Sequence, residues 1–203
     1  MKKESKLKHL FVSLVMLGCS FGFTACDKNK DDPAKEPLLT DVYGNYLGKM
    51  TTAVTPATYD TGVSTEGEDI SATVNNDTVT FAKFPVENII KAILQDVPEE
   101  GVGAIIGLLG DVKYEIGYKA EFNAAKDGIS MTFDPKPLIL AVPTPTLTGE
   151  VQSVTVSVSA DEKGSYAVEG KTLKFSIKVT GVTVDGDDFP VPPMTFSFNM
   201  NKK

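Results

Sequence analysis

The chain has 203 residues, with 20 basic side chains that are all lysine, 27 acidic ones and a formal net charge of −7. An acidic chain without arginine repels the phosphate backbone and lacks the forked donor that reads base edges, so nucleic acid is set aside as a partner. Its one histidine is His9 and its two cysteines are Cys19 and Cys26, so histidine and cysteine chemistry is confined to the first 26 residues, and carboxylates, lysines, tyrosines and hydroxyls are left elsewhere.

Those residues have the three parts of an export signal. Lys2, Lys3, Lys6 and Lys8 precede an apolar run from Leu10 to Phe23, and small residues follow. At about 14 residues the run is too short to span a bilayer, which needs roughly 20. Phe23-Thr24-Ala25-Cys26 resembles the lipobox of bacterial lipoproteins, with Phe23 in place of the usual aliphatic residue. The resemblance implies that residues 1–25 are removed and that Cys26 becomes an acylated N-terminus. Met16-Leu17-Gly18-Cys19 competes, but cutting there leaves a short apolar segment before the cysteine and Phe21-Gly22-Phe23 on the mature end. Residues 26–40 are charged, contain Pro33 and Pro37 and read as a disordered tether. The implied location is the cell envelope, lipid-anchored at the outer membrane on its periplasmic or surface face.

Without residues 1–25, which carry four lysines and one glutamate, the net charge becomes −10. The mature chain then has no histidine, and Cys26 carries lipid. A His-based triad, a cysteine nucleophile, a His/Cys zinc site and a disulfide framework are all excluded. No enzyme, cofactor or metal site is expected, and residues 41–203 read as a single antiparallel β domain.

Asp41 to Met50 reads as a first strand with Tyr46, Gly48 and Met50 on one face, and its glycines suit a curving strand. Gly44-Asn45-Tyr46-Leu47-Gly48-Lys49-Met50 resembles the Gly-x-Tyr-x-Gly opening of calycin-like and lipocalin-like domains in small exported lipoproteins of Bacteroidetes. Phe84-Pro85 before a short helix, and a last meander ending on Phe196 and Phe198, fit the same pattern. The resemblance implies an antiparallel barrel with an apolar interior and a small apolar ligand, and it carries over no ligand residue.

Thr51 to Gly67 reads as a long loop or irregular hairpin. Asp69–Val74 and Thr78–Phe84 form a hairpin around Asn75-Asn76-Asp77, residues that tolerate positive φ. From Pro85 the period changes: Val86, Ile89, Ile90, Ile93, Leu94 and Val97 form one helical stripe. Pro85 suits the first helical position, Pro98 stops the helix, and the polar face carries Glu87, Asn88, Lys91, Gln95 and Asp96.

Gly101 to Gly110 fails as a phosphate cradle, because it lacks the Gly-Lys-Ser/Thr ending and follows a helix. It reads as a short apolar helix plugging the core. The functional alternative is an apolar lid over a cavity, formed by Ile105, Ile106, Leu108 and Leu109.

Val112 to Phe122 alternates strictly, and Ala125-Lys126-Asp127-Gly128 turns it into Ile129–Phe133. Prolines bound Leu138–Val142, which suits a short or edge strand. Val154–Ser159, Leu173–Val179 and Met194–Met200 are further alternating segments, with Asp161-Glu162-Lys163-Gly164 as a turn and Gly181–Val191 as a turn-rich connection. The pattern predicts an antiparallel barrel, with a two-sheet sandwich as the alternative. Asp185-Gly186-Asp187-Asp188 and Glu66-Gly67-Glu68-Asp69 read as solvated turns rather than cation sites. Function is then binding, either of a small apolar or amphipathic ligand or, through a rim or edge strand, of another envelope protein.

Overall fold

A computed structural model describes residues 37–55, 67–95, 97–143 and 150–203. All lie in one compact unit, Glu36–Lys203. The leader, Cys19, Cys26 and most of the tether are outside the described residues.

The described strands are β1 (Gly44–Val54), β2 (Glu68–Val74), β3 (Thr78–Phe81), β4 (Tyr114–Phe122), β5 (Gly128–Pro135), β6 (Leu138–Pro143), β7 (Val151–Ser159), β8 (Gly164–Ala167), β9 (Thr172–Val184), β10 (Asp187–Phe189) and β11 (Met194–Lys202). A 3-10 turn, Leu39–Val42, precedes them, and helices α1 (Glu87–Ile93) and α2 (Glu99–Leu109) separate β3 from β4.

Eight strands close a ring in the order β1-β2-β3-β4-β5-β8-β9-β11, with β11 pairing back onto β1. Closure gives each of the eight a neighbour on both sides, so the fold is a barrel and not a sandwich. The inward positions follow the period-two pattern of the sequence: Tyr46 and Met50, Ile70 to Val74, Tyr114 to Tyr118, and Met194 to Met200 are buried on alternate residues.

Large rings fill the space these strands enclose. Phe133 stacks on Phe175 at 4.4 Å and Phe175 on Phe198 at 4.5 Å between centroids. Phe198 meets Phe81 at 5.3 Å, and Phe84 lies edge-on to both Phe81 and Tyr114 at 5.6 and 5.1 Å. An eight-stranded barrel is just wide enough either for side chains or for one small ligand, and here the rings take that space. Three of the four buried tyrosines among the described residues end on carbonyl oxygens: Tyr46 Oη donates to Val42 O at 2.5 Å, Tyr114 Oη to Lys136 O at 2.7 Å, and Tyr118 Oη to Asn75 O. Burial pushes all three phenols above their ordinary range, so they remain protonated donors.

The chain enters at one end, where the 3-10 turn buries Val42 and Lys202 Nζ donates to Asp41 O. The helices sit at the other end. There β9 outruns the barrel: its first half pairs with β8 and β11, and its second half pairs with β7 and β10. Gly181–Val191 was expected to be a connection, but β9 continues through it to Val184. A bulge opposite Ser157 and Val158 moves the inward set from Leu173, Phe175, Ile177 and Val179 to Val182, which breaks the alternation. β8 occupies the stretch just after the expected turn at Asp161–Gly164. The Asn75–Asp77 hairpin closes without positive φ at those residues; instead Asn75 Oδ1 accepts the Thr78 amide at 3.1 Å. β6 pairs only with β7 among the described residues, as its prolines suggested.

Gly48 pairs with Met200 of β11. An added Cβ would fall 2.1 Å from Asn199 O and 2.5 Å from Met200 Cα, both backbone atoms, whereas one at Gly107 in α2 would meet nothing within 4 Å. Gly48→Ala is therefore expected to cost at least about 2 kcal/mol of stability in urea denaturation, and Gly107→Ala to gain about 0.5–1 kcal/mol. Equal effects would contradict this packing.

Candidate functional site

The site begins with a short strand. β3 pairs with β2 only through Thr73–Thr80 and Val74–Val79. Ala82 and Lys83 then bend away and carry the chain into α1, so the first part of β2, Glu68 to Ala72, has no β3 neighbour. The opening is a groove of about 280 Å³ bounded by Glu68–Ser71, Lys83–Glu87, Ile106 and Gly110. Phe84, Val86 and Ile70 are buried beneath it, which gives it an apolar floor. A larger concavity of about 500 Å³ lies over Leu47–Lys49 and Asp69–Ser71. Both of its sides belong to β1 and β2, with no second element to face an occupant.

Beside the groove, three polar side chains at inward positions tie α1 to the strands. Asn88 is 8 % exposed, and its Nδ2 donates to Thr52 Oγ1 at 3.0 Å and to Glu68 Oε1 at 3.2 Å. The trio joins the helix to β1 and β2 and satisfies groups that would be costly to bury alone. This corrects two expectations. Asn88 belongs to the buried side of α1, not its polar face, and Glu68 begins β2 instead of lying in a solvated turn. α1 is also shorter than its apolar stripe: it starts at Glu87 after Val86 and stops at Ile93. Pro98 disfavours helical backbone at Val97, and α2 starts directly after it.

Burial pushes the Glu68 carboxyl above its ordinary value of 4.5, and the Glu87 charge pushes the same way, against the Asn88 hydrogen bond and Lys91. The neighbouring lysines each hold another carboxylate: Lys91 with Glu87 at 2.7 Å, Lys49 with Asp69 at 2.8 Å, and Lys83 with Asp111 at 3.1 Å. Glu68 is left with an amide donor and no lysine within ion-pair distance among the described residues.

The four lid candidates do not act as one face. Ile105 is buried in the core, Leu109 is half-buried against it, and Leu108 points outward at 72 % exposure. Ile106 alone lines the groove. Asp185 and Gly186 form the β9–β10 turn, with Asp185 Oδ1 accepting the Ser153 amide at 2.9 Å. Among the described residues no group of three or more His, Cys, Asp or Glu could hold a metal ion.

A family model described as "Domain of unknown function (DUF4840)" matches residues 41–184. The chain belongs to that family. In this member the match opens on the segment leading into β1 and stops at the last residue of β9, so the groove lies within it and the closing strand β11 lies beyond it. Neither the curated proteins nor the solved structures give a match.

The raised Glu68 value gives this site a pH signature. A carboxyl whose value is higher in the fold than in the unfolded chain favours the fold when protonated, and that contribution is lost as pH rises past its ordinary value. Glu68→Gln keeps the acceptor for Asn88 and removes the charge. Its urea midpoint is expected to gain on the wild type between about pH 4 and pH 7. A difference independent of pH would contradict the assignment.

Proposed function

We propose that this protein is a lipid-anchored, non-enzymatic binding protein of the cell envelope whose ligand is small and apolar or amphipathic. The ligand lies in the groove between β2, the segment leading into α1, and α2. The observation that carries the reading is the groove itself: it joins an apolar floor to the half-buried carboxylate of Glu68, the combination expected of a small-molecule site. The ring-filled lumen supports a site outside the barrel. The signal-like leader and the lipobox-like Phe23–Cys26 segment support export and anchoring through Cys26, as in small exported lipoproteins.

Two measurements test this. Cys26→Ser is expected to move the protein out of the membrane fraction and abolish labelling by a radioactive fatty acid; retention of label would exclude Cys26. The neutral apolar dye N-phenylnaphthylamine is expected to brighten on binding, and Ile106→Gln, shown folded by its thermal melt, to remove the signal. Undiminished brightening in that variant would place the dye elsewhere.

A second reading, docking to another envelope protein, is favoured by β6, whose Ile139 is 70 % exposed on a strand paired only with β7 among the described residues. A photo-crosslinker at position 139 should then give one stoichiometric adduct in the envelope; its absence would remove this reading.

A further inference from the structure

The charges around the groove are unevenly matched. Lys83, Lys49 and Lys91 are engaged by Asp111, Asp69 and Glu87, and Glu68 has the Asn88 amide as its donor. An anionic head group entering here would face Glu68, Asp69 and Glu87 with only Lys83 among the lining residues to meet it. A cationic head group would meet the one lining carboxylate that lacks a lysine. It would also relieve the cost of holding that charge away from water.

The groove's volume, about 280 Å³, is just under the usual range of ligand sites, about 300 to 1,000 Å³. The occupant is therefore short. Pro85 and Ile106 are among its lining residues and offer apolar surface to a hydrocarbon chain.

We propose that the groove takes a small amphipathic organic cation, a protonated primary amine on a short hydrocarbon chain, with its ammonium on Glu68 and its chain between Pro85 and Ile106. An ammonium offers three donors and no acceptor, so it can bind the Glu68 carboxylate without displacing Asn88. The proposal rests on the reading of the groove as the ligand site and adds the sign of the ligand's charge.

The test is a titration of the ¹⁵N-labelled full chain carrying Cys26→Ser with hexylammonium, hexanol and hexanoate, following the amide resonances of Glu68, Phe84, Ile106 and Gly110. The expected order is hexylammonium first, at least about tenfold tighter than hexanol, as one hydrogen bond to a charged group implies, with hexanoate weakest. Glu68→Gln should reduce hexylammonium to the level of hexanol. If hexanol and hexylammonium bind alike in the wild type, or hexanoate binds tightest, the charge assignment is overturned while the groove stands as a site. If none of the three moves these resonances, the ligand-site reading fails with it.

Discussion

The packing of aromatic rings inside an eight-stranded barrel constrains everything else in this protein. Phe133, Phe175 and Phe198 stack face to face, and Phe81 and Phe84 extend the contact toward the helices. Rings packed this closely fix the strand register, because a one-residue slip of β5, β9 or β11 would turn that strand's rings from the core to solvent. They also decide where function can sit. A barrel of this size encloses either its own side chains or a guest, and this chain has chosen side chains. On the proposed reading, binding then falls to the outer surface and to the places where the barrel's regularity fails.

The clearest such failure is the parting of β2 and β3. Four residues of β3 pair across to β4, but only two reach back to β2, and the sheet opens where the chain leaves for α1. The exposed flank is not left wet and irregular. Asn88 reaches from the helix to Thr52 and Glu68, and Phe84, directly before Pro85, drops into the aromatic core. The result is a groove with an oily floor beside a carboxylate that is charged only at a cost. Helices this short owe their stability to tertiary contacts, so α1, the polar trio and the groove form or fail together.

Much of the fold was legible because the inward residues of β2, β4 and β11 alternate without a break. The strands that escaped were those whose pattern is cut by geometry. In β8, four residues long, Tyr166 is the one large inward side chain, and the Asp161–Gly164 stretch before it has turn composition. In β9 the bulge at Thr180 shifts the inward parity, so a period-two reading stops at Val179. The site was half legible. Glu68 is in phase with Ile70, Ala72 and Val74, and Thr52 with Tyr46, Gly48 and Met50, so two polar residues at inward positions were present in the alternation. Glu and Asp beside Gly67 suggested a turn at Glu68, and the loop reading of Thr51–Gly67 covered Thr52, which lies in β1; both masked the phase. Asn88 adjoins the apolar stripe of α1, and only the partner across the gap shows that it belongs to the buried side. The location of the groove depends on where β3 stops, which no local pattern states.

The most direct test of a filled barrel with an external site is a crystal structure of the protein soaked with 6-bromohexan-1-ol, located by the anomalous signal of bromine. Bromine beside Ile106 and Phe84, on the open flank of β2, is the predicted result. Bromine inside the barrel among Phe133, Phe175 and Phe198 would show that the rings part for a guest and would contradict the account.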